Sequence, residues 1–477
     1  MAEGPLLPGS GGPEPSAATP GSARTARVRR RLIAVAILVT AVGASGAALD
    51  HLVGPRAAAG GTPEAAATGA WFCPHGGSPG WSGWIVVTNP GSAQVKVRLT
   101  QLTDRRVRAV SEFAVPPLRQ VYREVSASDP ADATAVEYFG GWVGVGAIIR
   151  SSSPTGTAAE RCEPAARRTW YVLDEPTGPG DTTFLVVMNP FAQDASFDVV
   201  VRTELRTIAP GALRPYVLPA HSSVAFRLND IALEGPGEST VTVEVDQRIG
   251  RVVAGGLVQT PDGIRAEAGS DTPSKSSAIP AGGYAGAAQL ILYNPGQDRA
   301  EVTVVSSGRT GQKLASGPNQ ISLAPGEVKT VPMEGLPGAA VLVQSDNGQS
   351  IISALRLTGA GGDEATVSGV AVPSRAWLAL PALSPSGGRS ILVLQNPGRT
   401  SDRIDVQLIG ANGTVPAPRL RAVLIPPGRT ISLVLPGGGK PVSALVRATR
   451  GTVVVGTAAN PGGSAAYAAS LGVQIRA

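Results

Sequence analysis

The chain has few of the side chains that usually form catalytic or metal sites. Its 477 residues include three histidines, two cysteines and three methionines, and aromatic residues make up 4% of the sequence. The histidines, His51, His75 and His221, are distant from one another in the chain. No phosphate-binding G-x-x-x-x-G-K sequence occurs, and no acidic cluster has calcium-loop spacing. We therefore expect no enzyme activity, no catalytic residue, no metal and no cofactor.

Positive charge is concentrated near the N-terminus. The formal net charge is +6, and residues 1–31 hold five arginines and two glutamates, which leaves +3 for the remainder. A nucleic-acid-binding surface needs a basic stripe with interleaved aromatic residues. The remainder of the chain has no such stripe, so the sequence predicts no nucleic-acid partner.

An apolar run followed by Asn-Pro occurs four times. The asparagines are 100, 105 and 102 residues apart, and a second proline turn follows each one after 27 to 31 residues. Such regular self-similarity predicts a repeated structural unit. Proline favours a β-turn and the asparagine side chain can accept a turn N–H, so strand, Asn-Pro, strand predicts a hairpin. The asparagines are Asn89, Asn189, Asn294 and Asn396, and the later prolines are Pro116, Pro219, Pro325 and Pro426.

Apolar residues alternate with polar ones after each Asn-Pro, which is typical of half-buried strands. About seven short strands per repeat, separated by Gly and Pro, indicate an immunoglobulin-like β-sandwich. We predict an all-β protein of four tandem sandwich repeats joined by short linkers into a semi-rigid rod. The alternative is a β-propeller with two four-stranded blades per repeat, which the lack of a half-period repetition disfavours. The predicted repeats are 71–166, 167–273, 274–374 and 375–477.

The N-terminal segment predicts export. Residues 1–31 are rich in Pro, Gly and Ala and end in arginines, which indicates a disordered basic cytoplasmic tail. Residues 32–54 are predicted to be a transmembrane signal-anchor, and 55–70 a flexible linker. We expect a single-pass plasma-membrane protein with its repeats outside, or a secreted protein if the apolar segment is cleaved.

Two cysteines bracket the first repeat. Cys73 opens it and Cys162 closes it, and a disulfide between them would persist in an exported protein. In the chain-entropy model such a bond contributes about 4–5 kcal/mol. The alternative is a metal site with His75, which falls short of a full structural zinc shell.

Four of the six tryptophans lie in the first repeat. Trp71 and Trp84 have counterparts in other repeats, which indicates core positions. Trp81 and Trp142 have none, and tryptophan is enriched in interaction hot spots. They are either packed under a Gly-rich loop or exposed as an aromatic platform, and they are the candidate ligand contacts.

These features resemble a family of uncharacterised actinobacterial proteins, the domain-of-unknown-function family numbered 5719. The resemblance rests on the arginine-flanked apolar segment, the sequence Trp71-Phe72-Cys73 and the recurrent Val/Leu-x-Asn-Pro units, over roughly residues 25–477. It implies a membrane-anchored or secreted β-repeat protein. It brings no activity, cofactor or catalytic residue with it.

The leading functional prediction is a non-catalytic, membrane-anchored scaffold or interaction protein of the bacterial cell envelope. An abundance of Arg, Ala, Gly and Pro is typical of a high-GC bacterial genome. Partners would be other envelope proteins, bound through loops or exposed strand edges, and the cell membrane through the N-terminal helix. The alternative is a cell-wall glycan-binding protein that holds the wall polymer through Trp81 or Trp142.

Overall fold

The computed structural model of the protein describes residues 68–284, 287–314, 320–333, 340–460 and 467–475. Every described residue belongs to one compact unit, residues 60–477. The predicted basic tail and transmembrane segment lie outside the described residues. Within the described part of the chain, no helix is long and apolar enough to cross a membrane.

The described residues form short β-strands with three 3-10 turns and no α-helix, which confirms the all-β prediction. Strand β1 begins at Thr68, so the last residues of the predicted linker belong to the fold. In the first predicted repeat the strands are β1 (Thr68–Cys73), β2 (Ser82–Asn89), β3 (Val95–Thr103), β4 (Arg106–Val115), β5 (Arg119–Val125), β6 (Ala133–Phe139), β7 (Gly144–Ser152) and β8 (Thr155–Arg161).

The second predicted repeat contains nine strands and two 3-10 turns. These are β9 (Thr169–Val172), β10 (Thr182–Asn189), β11 (Ala195–Arg202), β12 (Thr207–Ile208), η1 (Gly211–Leu213), β13 (Tyr216–Leu218), β14 (Ser222–Arg227), η2 (Leu228–Asp230), β15 (Thr242–Ile249), β16 (Val253–Thr260) and β17 (Gly263–Ala268).

The described residues of the third and fourth predicted repeats follow the same plan. The third has β18 (Ser276–Ile279), β19 (Ala288–Tyr293), β20 (Ala300–Gly308), β21 (Gly311–Leu314), β22 (Gln320–Leu323), β23 (Val328–Pro332), β24 (Ala340–Ser345), β25 (Ile352–Thr358) and β26 (Glu364–Ser368). The fourth has β27 (Ala376–Ala379), β28 (Ser390–Gln395), β29 (Asp402–Gly410), β30 (Gly413–Val415), η3 (Pro418–Leu420), β31 (Val423–Ile425), β32 (Thr430–Val434), β33 (Ser443–Arg450), β34 (Val454–Ala459), β35 (Ala468–Leu471) and β36 (Val473–Gln474).

Two antiparallel sheets with a recurring strand order form in each quarter of this unit. The Asn sheet contains the strand that ends at or beside the repeated asparagine, and the companion sheet contains the others. The Asn sheets are β5-β2-β7-β8, β14-β10-β16-β17, β23-β19-β25-β26 and β32-β28-β34-β35. The companion sheets are β1-β6-β3-β4, β9-β15-β11-β12, β18-β24-β20-β21 and β36-β27-β33-β29-β30, and β13, β22 and β31 also pair with β11, β20 and β29.

The Asn-Pro sequence joins the two sheets, so the hairpin prediction is wrong. Strand β2 ends at Asn89 in the Asn sheet, and β3 begins in the companion sheet. The Asn89 Nδ2 donates to the carbonyls of Ala93 at 2.7 Å and Val115 at 3.0 Å. Its Oδ1 accepts the N–H of Gly91 at 2.9 Å, which is the predicted turn hydrogen bond. The buried amide thus holds the crossing between sheets.

The same amide contacts recur at the other three asparagines. Each Nδ2 also donates to the carbonyl that begins the second proline turn, at 3.1 to 3.2 Å. The two periodic features of the sequence are therefore bonded to each other in space. The asparagine and carbonyl pairs are Asn89 with Pro116, Asn189 with Pro219, Asn294 with Ala324, and Asn396 with Pro426.

The first part of the core lies between β2 and β3. Residues in β3 alternate between buried and exposed from Val95 to Leu99, as the apolar pattern predicts. They pack in one cluster with Ile85 and Val87 of β2. Full burial of such a side chain contributes about 1.5–3 kcal/mol, so this alternation fixes which face of the strand points inward.

The predicted rod of separate repeats is wrong, because the fourth repeat packs against the first. The apolar cluster that holds Ile85 of β2 also holds Leu378 and Leu380. The hydroxyl of Tyr122 donates to the carbonyl of Leu383 at 2.9 Å. The Asn sheet is apolar on a face that a free-standing sandwich would expose, and the neighbouring repeat buries that face.

Four lead-in segments make these junctions. They follow β1, β9, β18 and β27 and comprise residues 74–77, 173–176, 280–283 and 380–383. Three of them lie close to a glycine in the Asn sheet of the following repeat, and the first repeat follows the fourth. A Cβ at Gly146 would lie 3.1 Å from Leu380 Cδ1. The corresponding distances are 2.9 Å from Gly255 to Pro74 and 3.1 Å from Gly456 to Pro280. Because the fourth segment covers the first repeat, the succession of junctions closes.

The last strands of the four Asn sheets meet one another, and we name them the axial strands. Strand β8 contacts β17 and β35, and β26 contacts the same two strands. The four strands belong to four different sheets, so the cycle is held by packing and not by a shared strand ladder. This arrangement places side chains from all four repeats around one axis.

Candidate functional site

A pocket with a volume of about 400 Å³ lies where the axial strands end, and we name it the axial pocket. Small-molecule sites in proteins typically have about 300–1,000 Å³. All four predicted repeats contribute to the wall, so no single repeat forms the site. Residues of the wall include Trp71, Trp142, Arg161, Asp271, Val372 and Gln474.

Trp71 and Trp142 form an aromatic wall of the axial pocket. Their ring centroids are 6.1 Å apart at 74°, an edge-to-face arrangement. Trp71 is buried, and its Nε1 donates to the Val143 carbonyl at 2.9 Å, which fixes the ring. Trp142 is half-buried, and its indole N–H has no acceptor among the described residues. Of the two rings, Trp142 therefore has more surface exposed to solvent.

Arg161 at the end of β8 brings a positive charge to the same pocket. Its side chain is 26% exposed, and its Nη2 lies 3.0 Å from Oε1 of Glu163. That oxygen still has no hydrogen-bond partner, so the contact is an ion pair without hydrogen-bond geometry. Burial raises the pKa of Glu163, which favours its neutral form and so weakens its attraction to the guanidinium. The Arg161 guanidinium makes no hydrogen bond to any described side chain or carbonyl.

A second, smaller cavity lies between the axial strands and shares Arg161 with the pocket. It offers about 20 Å³, which is room for one water molecule. Glu160 of β8 and Glu267 of β17 line it, together with Ser368 and Ser470. Both oxygens of Glu160 and Oε2 of Glu267 are buried without a partner. Ser368 donates to the remaining oxygen of Glu267 at 2.8 Å.

Burial holds these carboxyl groups in their neutral form. It raises the pKa of Glu160 to about 8, with a smaller contribution from the Glu163 charge. It also raises the pKa of Glu267 well above the ordinary value, and the nearby Glu175 adds to the effect. A protonated carboxyl donates as well as accepts hydrogen bonds. At neutral pH the smaller cavity is therefore lined by two acids that carry protons.

Asp174 forms a charged network beside this cavity. Its Oδ1 accepts from Arg356 Nε at 2.7 Å, and its Oδ2 accepts from the Thr366 hydroxyl at 2.6 Å. Arg265 lies 3.5 Å from Oδ2 and also bonds Glu364. Burial by itself would raise the pKa of Asp174, but the two guanidinium groups outweigh it and hold the pKa below its ordinary value.

Glu175, the neighbour of Asp174, is the neutral member of that pair. Burial raises its pKa to about 8, and Arg265 only partly opposes the effect. A Cβ at Gly256 would lie 1.8 Å from Glu175 Oε1, so a side chain at 256 would displace the Glu175 carboxyl. The sequence places Asp174 and Glu175 in a loop, and nothing in their spacing indicates that both are buried. Their partners Arg265 and Arg356 come from distant strands, which explains why the sequence does not reveal the network.

The two candidate tryptophans do not share a surface. Trp81 precedes β2 at the end where Ser82 pairs with Arg150, whereas Trp142 precedes β7 at the end where Thr88 pairs with Gly144. Trp81 packs partly buried against the cluster that contains Ile149 and Leu257. Trp142 alone reaches the axial pocket, so a platform made of both rings does not form.

The structure joins Cys73 and Cys162 in a disulfide, and both cysteines are buried. His75 does not accompany them. Its Nδ1 donates to the Gly76 carbonyl at 2.8 Å, and its Nε2 accepts from the Thr134 hydroxyl at 3.0 Å. Burial lowers the pKa of His75, so its imidazole is neutral. Among the residues that the structure describes, no group of three or more His, Cys, Asp or Glu side chains is arranged to hold a metal ion.

The remaining candidates for catalytic chemistry, a histidine and a serine motif, lie in turns and loops. His221 has φ +50° at the second proline turn, the position held by Leu118 with φ +53° in the first repeat. His51 lies outside the described residues. Residues 76–80 read Gly-Gly-Ser-Pro-Gly and have G-x-S-x-G spacing, but they connect β1 to β2. A nucleophile elbow needs a strand-to-helix turn, which this segment does not provide.

The model of a family of unknown function, DUF5719, matches residues 141–382, half of the chain. The match runs from the residue before Trp142 to the fourth lead-in segment, and it includes Arg161 and the Asp174 network. It confirms the family inferred from the sequence, over a shorter region than 25–477. No curated protein matches the chain. The protein is a member of the family of unknown function DUF5719.

Proposed function

We propose that this protein is a non-catalytic interaction scaffold of the bacterial cell envelope, anchored in the plasma membrane by residues 32–54. The all-β fold is compatible with a scaffold or binding role. The envelope location is supported by the apolar, arginine-flanked N-terminal sequence and by a buried disulfide, which persists in oxidising compartments. The partner is another envelope protein.

The four sheet pairs are the structural basis of this scaffold. Each pair is proposed to be one immunoglobulin-like unit, with its core between the Asn sheet and the companion sheet. Because the fourth junction closes onto the first, we propose that the four units form a ring around the axial strands. A ring of four units with two sheets each resembles the propeller alternative, which has two blades per repeat. A ring fixes the relative positions of all its edges, which a jointed rod would not.

The outer edge of the first companion sheet carries the proposal. Strand β4 is a continuous strand of ten residues, and Arg106 to Glu112 are all exposed. It pairs only with β3, so its other edge has no strand partner in the described chain. In the other three repeats the equivalent edge is divided into two short strands, β12 and β13, β21 and β22, or β30 and β31. Short edge strands protect against pairing, and a long exposed one accepts an extended segment.

Substitution on this edge tests the scaffold. Val107 and Val110 are 41% and 48% exposed, so lysine at both positions preserves the fold and opposes strand pairing. Crosslinked partners recovered with the full chain from cells should be lost in the Val107→Lys, Val110→Lys variant. Val217→Lys on the short strand β13 is the matched control, because Val217 is 58% exposed. Recovery of the same partners with all three proteins would refute docking at β4.

A second candidate function is binding of a cell-wall glycan. The observation that favours it is the position of Trp142, a half-buried ring in the wall of the axial pocket. Aromatic faces pack against the C–H face of a sugar ring, and the Trp142 N–H, which has no acceptor among the described residues, can donate to a hydroxyl. The full chain should sediment with isolated cell walls, and Trp142→Ala should abolish this. Trp81→Ala, at the opposite end of β2, should not.

A further inference from the structure

Arg161 differs from the other buried arginines of the axial region in what surrounds it. Arg265 and Arg356 are 3% and 11% exposed in their side chains, and each bonds a carboxylate directly. Arg161 is 26% exposed, and Glu163 approaches it without a hydrogen bond. The planar guanidinium has five N–H donors that suit a carboxylate bidentately. Arg265 and Arg356 hold the fold together, whereas the Arg161 guanidinium lies beside Glu163 and donates no hydrogen bond to a described residue.

The charge around the axial pocket sets the kind of anion that fits. Asp271 in the wall is paired with Arg167, and Arg161 is the other charged side chain among the described residues of the wall. A dianion such as a phosphate ester would be repelled by the Asp271 carboxylate and would find one guanidinium in the wall, whereas a single carboxylate needs only that guanidinium. The pocket therefore favours a monoanion over a dianion.

The rest of the wall suits a ring with several hydroxyl groups. Trp142 brings an aromatic ring and an indole N–H to the wall, and Ser270, Thr272 and Gln474 are polar residues of the same wall. Apolar faces combined with a small number of placed polar groups are typical of ligand pockets. A volume of about 400 Å³ accommodates a sugar of more than one ring.

We propose that the axial pocket binds a saccharide that carries a carboxylate, with Arg161 receiving the carboxylate and Trp142 packing on the sugar ring. This assignment rests on the glycan-binding candidate function and specifies its ligand class. Trp81 plays no role.

Two disaccharides that differ in one group test the assignment. The acidic probe is N-acetylglucosaminyl-N-acetylmuramic acid, and the neutral probe is N,N′-diacetylchitobiose, which lacks the lactyl carboxylate. Titration calorimetry with the full chain should show tighter binding of the acidic probe. Arg161→Gln should weaken binding of the acidic probe at least tenfold and leave the neutral probe unchanged. Trp142→Ala should weaken both, and Trp81→Ala neither.

A second measurement covers the case in which Arg161→Gln does not fold. Binding of the acidic probe by the wild-type chain should weaken as salt rises from 0.05 to 0.5 M, and binding of the neutral probe should not, because salt screens only charge pairing, with a Debye length of about 10 Å at 0.1 M. Equal affinity for the two probes, with no effect of salt or of Arg161→Gln, overturns the carboxylate assignment and leaves glycan binding standing. Failure of the wild-type chain to bind either probe overturns both proposals.

Discussion

Arg356 and Asp174 are 182 residues apart in the sequence, and the arginine Nε donates to the aspartate Oδ1 at 2.7 Å. Asp174 lies in the second lead-in segment, and Arg356 lies in β25 of the next repeat. At this junction the contact is an ion pair, whereas at the other three junctions apolar side chains pack against a glycine. Those side chains are Pro74, Pro280 and Leu380. Both ion-paired groups are largely buried, so the junction depends on every partner being present.

Asp174→Ala should destabilise the protein strongly. The substitution leaves Arg356 and Arg265 buried without their shared carboxylate, and breaking a buried pair costs about 3–5 kcal/mol. Denaturant unfolding measures this loss. Glu137→Ala is the control, because Glu137 and Arg98 are 3.9 Å apart and about half exposed, and a surface pair contributes about 0–1 kcal/mol. Similar losses in both variants would contradict the structural role of Asp174.

The stability of the protein should fall as the pH rises from about 4.5 to about 8. The pKa of Glu160 is raised from 4.5 to about 8 in the folded chain, so over this window the unfolded chain has lost a proton that the folded chain retains. The free energy of unfolding then decreases with pH, by at most about 1.4 kcal/mol per pH unit for this group, and levels off above the folded pKa. Unfolding at pH 5, 6.5 and 8 measures the slope.

Glu160→Gln isolates this effect, because a neutral amide replaces the buried acid. The variant should show a shallower pH dependence than the wild type and should gain stability relative to it at pH 8. Glu112→Gln, on the exposed part of β4, is the control and should keep the wild-type slope. An unchanged slope in Glu160→Gln would show that this carboxyl does not retain its proton in the folded chain.

Asn396→Ala should destabilise the fourth repeat more than a single lost hydrogen bond would. The Asn396 side chain donates to three carbonyls, of Thr400, Ile425 and Pro426, and accepts one N–H. A buried polar group left without a partner costs about 1–3 kcal/mol, so we expect a loss of about 3 kcal/mol by thermal or denaturant unfolding. Asn412→Ala in an exposed turn should change stability by less than about 0.5 kcal/mol. Equal losses of stability in the two variants would show that the Asn396 side chain does not hold the crossing between the sheets.

Removal of the disulfide should lower stability without changing the fold. Cys73 and Cys162 close a loop with a sequence separation of 89, for which the chain-entropy model gives at most about 4–5 kcal/mol. The double variant Cys73→Ser, Cys162→Ser and the reduced wild type should melt at the same lowered temperature. A melting temperature that is unchanged by reduction would mean that the bond contributes nothing to the first repeat.

Local features of the chain were predictable because they depend on neighbouring residues. The alternation from Val95 to Leu99 identifies a strand and its buried face, and Asn89 with Pro90 identifies a turn whose side chain accepts a backbone N–H. The period of about one hundred residues indicates a repeated unit. Each of these signals operates within a few residues or repeats in a fixed order, so a single sequence displays it.

The strands that pair with β2 and β3 were not predictable. A hairpin between β2 and β3 and a crossing from one sheet to the other both fit the same local sequence pattern. The structure decides for a crossing, since the Asn89 amide bonds the carbonyls of Val115 and Pro116 in the second turn. The contact of Leu380 with the first repeat was equally hidden. An apolar residue in a loop indicates burial but not which distant sheet will cover it.

The sequence by itself determined the class of fold, the repeat and the two cysteines, since composition and short-range spacing carry that information. Only the tertiary structure decided that Trp142 and not Trp81 reaches a pocket, that Arg161 lies in the wall of the same pocket, and that Asp174 is buried between two arginines. These relationships join residues from different repeats around the axial strands. Their energies depend on burial and on distances in space, and neither quantity is encoded in the spacing of residues along the chain.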